Sequence, residues 1–303
     1  FKQKTAYEIL SGLVGSEMCI RDSSQELEKQ YNVRDSRTDY ETKIIPDWID
    51  RSILTRKNLK SNIGIPYGKS EKQKLDFFSS PNTDAPTVIF FHGGYWQRGD
   101  KSVYSFLANS FVNNNINFLT VGYDLCPSIS ITEIVSQAQE AIVWIWKNAS
   151  KLEINKNKFI VSGHSAGGHI TGMMMGTEWN KISSDLPNDL ILAGIPISAL
   201  NLLEPIRHTS LNDALKMNKE EAKSQSPIYL TPKTNASQLV VYGANETDEF
   251  HRQSNIYYEK FKSKERKIER FIVPEADHFD EMNDLSNENS EFFKKMKKFI
   301  ELL

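Results

Sequence analysis

The stretch KFIVSGHSAGGHITGMMMG, residues 158–176, contains a serine between small residues in the pattern G-x-S-x-G. The apolar, β-branched residues before the pattern predict a strand buried on both faces, and the small residues after it predict a helix. A strand that turns this tightly into a helix presents the serine hydroxyl at the carboxyl end of a sheet. The arrangement therefore predicts that Ser165 acts as a nucleophile.

Outside this stretch, strand-like and helix-like segments alternate along the chain. Residues 130–149 have apolar side chains at spacings of three and four, which predicts an amphipathic helix. The predicted strands lie at 62–67, 74–79, 86–91, 117–123, 158–162, 190–197, 238–242 and 267–273. This alternation predicts an α/β fold with a mostly parallel central sheet of about eight strands and helices on both faces.

Two segments need a separate interpretation. Residues 201–232 are long, polar and partly helical, and they lie between two predicted strands. Such an excursion is typical of a small substrate-binding cap, the alternative being a surface insertion without function. With no break in composition, residues 24–303 are predicted to form a single domain that includes this cap. Residues 1–23 begin with Phe1 and fit no pattern that follows, so we interpret them as a non-native linker or library sequence.

The composition excludes several classes of partner. A formal net charge of −2, with acidic and basic residues mixed along the chain, predicts neither a nucleic-acid nor a membrane partner. The two cysteines, Cys19 and Cys126, imply no disulfide framework and favour a reducing, cytoplasmic location. His164 and His169 have no other ligand candidates close to them in the sequence, so we expect neither a metal nor a cofactor.

A serine needs a base to remove its proton, and the base needs a carboxylate to orient it. His278 lies in the loop after the last predicted strand, where a base can reach the nucleophile. The acid is expected in the loop that follows the strand at 238–242, which contains both Glu246 and Asp248. We choose Asp248, with Glu246 as the rival.

The sequence HGGYW at residues 92–96 ends another predicted strand. Adjacent glycines allow backbone N–H groups to approach a ligand closely. We therefore expect Gly93 and Gly94, together with the amide of Ala166, to form an oxyanion hole for a tetrahedral intermediate. The large flat side chains of Tyr95 and Trp96 are predicted to bind an aromatic substrate, the alternative being that they only pack.

These residues resemble a known family. HGGYW at 92–96, GHSAGGH at 163–169 and TDEFHRQS at 247–254 are similar to the motifs of the serine-dependent kynurenine formamidases, or arylformamidases, which have the α/β-hydrolase fold. The resemblance implies a triad of Ser165, Asp248 and His278 that needs no cofactor. It also implies hydrolysis of N-formylkynurenine to kynurenine and formate.

Two rival functions remain open at the level of the sequence. A short-chain carboxylesterase would share the same nucleophile and glycine pair, and would act on a simple ester rather than an aromatic amide. A catalytically inactive hydrolase-fold domain would bind a protein instead, although such domains usually lack a triad residue. The expected partner is a small aromatic amide or ester, and a homodimer is left open.

Overall fold

The computed structural model describes residues 24–231, 233–263 and 266–303. Its strands form one eight-stranded sheet in the order β1-β2-β4-β3-β5-β6-β7-β8. The strands are β1 (Ser61–Pro66), β2 (Lys74–Phe78), β3 (Thr87–Phe91), β4 (Asn117–Val121), β5 (Phe159–His164), β6 (Ala193–Ile197), β7 (Ser237–Gly243) and β8 (Ile268–Val273). β1 pairs with β2 and β2 with β4 in antiparallel register, whereas every other neighbouring pair is parallel. The predicted mostly parallel sheet is therefore confirmed.

Helices follow most of the strands. They are α1 (Ser24–Tyr31), α2 (Ile45–Asn58), α3 (Ala108–Val112), α4 (Ile131–Lys147), α5 (Ala149–Leu152), α6 (Ala166–Met175), α7 (Trp179–Ile182), α8 (Asn212–Leu215), α9 (Lys219–Ser224), α10 (Asp248–Phe261), α11 (Asp280–Leu285) and α12 (Glu291–Glu301). Shorter helical turns occupy Tyr40–Ile44, Lys101–Leu107, Glu204–His208 and Pro227–Tyr229. None of the helices in the described ranges is both long and apolar enough to cross a membrane.

Local sequence accounts for the central elements. Every residue of β3, β4 and β5 is buried, as expected of parallel strands covered on both faces. Helix α4 begins at a capping box, in which Ser130 and Glu133 each satisfy a backbone N–H of the other. The buried residues of α4 recur at the spacing of one helical face, so the helix packs against the sheet through a continuous apolar stripe.

The topology brings four connections to one edge of the sheet. β3, β5, β7 and β8 run parallel within it, so their carboxyl ends lie on the same side. Gly93 follows β3, Ser165 follows β5, Glu246 follows β7 and His278 follows β8. Residues that are far apart in sequence therefore converge at this edge. The predicted non-native segment, residues 1–23, lies outside the described residues.

Candidate active site

Ser165 occupies a strained turn between β5 and α6. Its φ of 58° and ψ of −117° lie outside the regions that a residue with a side chain normally adopts. Two backbone hydrogen bonds hold the turn: Ser165 N–H donates to Ile197 O at 2.9 Å, and Ser165 O accepts from His169 N–H at 3.0 Å. A methyl group on Gly167 would come 1.9 Å from Phe91 O, so only glycine allows α6 to lie this close to β3.

His278 and Glu246 form a buried pair beside this serine. Nδ1 of His278 lies 2.5 Å from Oε1 of Glu246, and the two side chains are 6% and 0% exposed. The N–H of Gly243 donates to Oε2 of Glu246 at 3.1 Å, which fixes the carboxylate beside the end of β7. Because Glu246 accepts the Nδ1 proton, the Nε2 lone pair of His278 is left available as a base. His278 and Ser165 line the same cavity.

The structure does not bring Asp248, the predicted acid, to His278, and the contact is made by its rival Glu246. Asp248 is the first residue of α10 and its side chain is exposed, whereas Glu246 lies in the turn directly after β7. The turn directs the residue nearer the strand toward His278, and the helix then carries the next acidic side chain outward. The longer side chain of glutamate spans the distance from this turn to the imidazole.

A second carboxyl group lies behind Glu246. Ser198 Oγ lies 2.6 Å from Oε2 of Glu246 and 2.7 and 2.8 Å from the two carboxyl oxygens of Glu281. A hydroxyl has one proton and cannot donate to two carboxylates at once. Burial, together with the charge of Glu246, raises the pKa of Glu281 well above its usual value. Protonated Glu281 therefore donates to Ser198, which donates to ionised Glu246.

Three further buried histidines lie around the site. Burial lowers the pKa of His92 and of His169 to about 4, and burial together with His278 lowers that of His164 well below its usual value. All three are therefore neutral at pH 7. The Nδ1–H of His92 points to Gly93 O at 2.8 Å and orients the glycine pair. The sequence contains no signal that separates these structural histidines from His278 except their position in the fold.

The glycine pair lies directly beside the nucleophile. Gly93 and Gly94 line the cavity together with Ser165. A methyl group on Gly93 would lie 3.2 Å from Ser165 Cβ and 3.0 Å from His164 O, so the backbone approaches the serine as closely as packing allows. Ala166 is the first residue of α6, where a backbone N–H has no partner within the helix. These three positions can together present N–H groups toward an oxyanion.

Tyr95 and Trp96 have different environments. Tyr95 lines the cavity, and its hydroxyl donates to the carbonyl of Tyr31. Trp96 is fully buried and does not line the cavity, because its indole N–H donates to Nδ1 of His169 at 3.2 Å. Nε2–H of His169 in turn reaches Gln225 O at 2.7 Å. The structure thus gives Trp96 the packing environment that was the alternative, in which it joins the glycine loop to α6.

Part of the cavity wall comes from α2 and from the segment between α1 and α2. Val33, Arg34, Tyr40 and Trp48 line it, whereas no described residue of the predicted cap at 201–231 does so. The cavity offers about 30 Å³ of space. Only a small group therefore fits beside Ser165 within these walls.

One group of side chains in the described part of the chain could hold a metal ion. Ligand atoms of His164, His278 and Glu281 lie within 4.8 Å of one another. Both carboxyl oxygens of Glu281 lie within 2.8 Å of Ser198 Oγ, and Nδ1 of His278 contacts Glu246. These contacts explain why the three side chains lie close together, and we assign no metal ion to them.

Comparison with known proteins places this geometry in a family. A family model described as BD-FAE matches residues 75–261. A kynurenine formamidase from Salmo salar is 33% identical over 225 residues, which cover 72% of this chain and 74% of that protein. One from Danio rerio is 33% identical over 245 residues, covering 78% and 80%. A solved esterase from Pyrobaculum calidifontis superimposes with a TM-score of 0.68 at 17% identity, covering 90% of this chain and 96% of the esterase.

The likeness to the esterase concerns the fold alone, because its sequence identity is low. The two formamidases share sequence over most of their own length, and the region of the BD-FAE match contains the nucleophile elbow and the glycine pair. The chain therefore belongs to the kynurenine formamidase family of α/β-hydrolases and is a hydrolase of amide or ester bonds.

Proposed function

We propose that this chain removes the formyl group from an aromatic amide, with N-formylkynurenine as substrate and kynurenine and formate as products. The observation that carries the proposal is the contact between His278 and Glu246 at the wall of the cavity that contains Ser165. The two relatives named kynurenine formamidase support the choice of substrate. The narrow space beside Ser165 suits formyl, the smallest acyl group, better than a longer acyl chain.

The mechanism is a two-step acyl transfer. His278 takes the proton of Ser165 while the serine oxygen attacks the formyl carbon. Backbone N–H groups at Gly93, Gly94 and Ala166 stabilise the oxyanion. His278 then protonates the leaving aromatic nitrogen, the C–N bond breaks, and a formyl-enzyme remains. Water deprotonated by His278 attacks this ester, releasing formate and restoring the serine.

We also propose a cytoplasmic location and a small aromatic amide as the partner, with a homodimer left open. Cys126 is a free, buried thiol, and burial raises its pKa to about 11, so it stays unreactive. The short helices at 204–229 are proposed as a cap. Since they do not line the cavity, their proposed role is to hold the glycine loop and α6 through the Trp96, His169 and Gln225 contacts.

The experiment compares kcat/KM on N-formylkynurenine with kcat/KM on p-nitrophenyl acetate. We expect the formyl amide to be preferred. A strong preference for the simple ester would show that the chain is a carboxylesterase rather than a formamidase. Ser165→Ala should lower turnover by several orders of magnitude, leaving about 10³–10⁴-fold acceleration over water. Failure of a fluorophosphonate to label the wild-type serine would instead indicate an inactive binding domain.

A further inference from the structure

Two arginines lie in the wall of the cavity that contains Ser165 and His278. Arg34 comes from the loop after α1, and Arg98 comes from the loop after β3. Among the described residues that line the cavity there is no aspartate or glutamate. The wall of this cavity therefore contains two positive charges and no carboxylate of its own.

Arg34 has hydrogen-bonding capacity to spare. One of its terminal nitrogens pairs with Glu41 at 3.0 Å, but the Glu41 side chain is 65% exposed, so this ion pair is weak. Its Nε is buried and has no hydrogen-bond partner among the described residues. An unpartnered buried N–H costs free energy, and an acceptor on a bound ligand would remove that cost.

Arg98 is anchored through its backbone and free at its side chain. Its N–H donates to Gly94 O at 3.1 Å, which fixes it to the glycine loop. The side chain is exposed at the cavity and makes no ion pair with any described residue. Its guanidinium is thus available at the same opening as that of Arg34.

We propose that Arg34 and Arg98 bind a carboxylate on the leaving group of the substrate, so that the enzyme selects aromatic amides or esters with this carboxylate over those without it. A guanidinium presents parallel N–H donors that match the two oxygens of a carboxylate. Tyr40 and Phe279, whose ring centroids are 4.7 Å apart, provide aromatic surface in the same cavity. This inference rests on the proposed function in one respect, which is that the proposed substrate, N-formylkynurenine, contains such a carboxylate.

The test uses two matched substrate pairs that differ only in charge. The first pair is N-formylkynurenine and its α-carboxamide; the second is 4-acetoxybenzoate and 4-acetoxybenzamide. In Arg34→Gln, kcat/KM for the carboxylate member of each pair should fall about 10- to 100-fold, the range for a lost hydrogen bond to a charged group. In Arg98→Gln, an exposed position, the fall should be about 3- to 10-fold. The carboxamide members should show no such fall.

Arg270→Gln is the control, because Arg270 is exposed and contacts Asn255 and Tyr258, away from the cavity. It removes the same charge and should leave the ratio of kcat/KM values within each substrate pair unchanged. Arg34→Lys should recover part of the selectivity. Added NaCl should lower the wild-type preference for the carboxylate members, which tests the charge effect without any substitution.

The outcomes separate this inference from the proposed function. The inference is wrong if kcat/KM of each arginine variant falls equally on the carboxylate and carboxamide substrates and the wild-type preference does not depend on salt. This holds even if N-formylkynurenine is turned over well. A different outcome is that formyl amides are not hydrolysed, while 4-acetoxybenzoate is preferred over 4-acetoxybenzamide and both Arg34→Gln and Arg98→Gln remove this preference. In that case the arginines bind the carboxylate, but the formamidase proposal is wrong.

Discussion

The hydroxyl oxygen of Ser198 lies 2.6 Å from Oε2 of Glu246 and so holds the carboxylate that contacts His278. Burial and the charge of Glu246 raise the pKa of Glu281, on the other side of the same hydroxyl, well above its usual value, and its protonated form leaves Ser198 free to donate to Glu246 alone. The acid of the proposed triad is thus one end of a chain of three side chains, Glu246, Ser198 and Glu281, which lie after β7, after β6 and in α11.

Removing the Ser198 hydroxyl should affect turnover rather than binding. In Ser198→Ala the Glu246 carboxylate loses one hydrogen bond, and the orientation of His278 becomes less well defined. We expect kcat to fall about tenfold, within the range for a hydrogen bond to a charged group, while KM on N-formylkynurenine stays the same. Steady-state kinetics check this, and a change confined to KM would exclude the positioning role.

The two acidic residues after β7 should behave in opposite ways. Glu246→Gln keeps the size of the side chain but removes the charge that stabilises the imidazolium of His278, so kcat should fall by about 10³–10⁴-fold. Asp248→Asn is the matched control: the side chain is exposed at the start of α10, and activity should remain near the wild-type value. A large loss in Asp248→Asn with none in Glu246→Gln would reverse the assignment.

Glu281 should make stability depend on pH. Its pKa is raised in the folded state by burial and by Glu246, so the folded protein retains a proton that the unfolded chain releases above pH 4.5. This contribution to stability is fully present below pH 4.5 and is lost as the pH rises through the folded-state pKa, by up to about 1.4 kcal/mol per pH unit.

Glu281→Gln cannot ionise and should retain the bond to Ser198 through its amide N–H. Urea unfolding at pH 5, 7 and 9 should therefore show the variant gaining stability relative to the wild type as the pH rises. A constant difference across this range would mean that Glu281 is already ionised in the folded protein.

His169 should give a pH dependence of the opposite sign. Burial lowers its folded-state pKa from 6.5 to about 4, so as the pH falls below 6.5 the unfolded chain takes up a proton that the folded protein does not. The contribution of His169 to the free energy of unfolding is fully present above pH 6.5. It is lost as the pH falls toward about 4, by up to about 1.4 kcal/mol per pH unit.

In His169→Gln this loss should be absent, although the variant is less stable at pH 7 because the Trp96 indole loses its acceptor. Unfolding free energies of the two proteins should thus converge between pH 7 and pH 4.5. His92 and His164 remain in both proteins, so their contributions cancel from the comparison. If the two unfolding free energies instead change in parallel with pH, His169 takes up its proton in the folded protein over the same pH range as in the unfolded chain.

Much of the fold could be read from local sequence. The strand positions follow from buried apolar runs, and helix α4 begins at a capping box whose residues, Ser130 and Glu133, lie only three positions apart in the chain. The elbow could also be found, since small residues on both sides of Ser165 are required by contacts within a few residues and with one neighbouring strand. Periodicity and turn chemistry act over short distances, which is why a single sequence reveals them.

The sequence by itself predicted the nucleophile, its glycine partners and the loop that contains the histidine. It narrowed the acid to two residues, 246 and 248, but the choice depended on how the turn after β7 meets His278 in space. The burial of Trp96, the proton held by Glu281 and the arginines at the cavity likewise arise from contacts between segments far apart in the chain. Such contacts depend on which side chains the folded backbone brings together, and no local pattern encodes them.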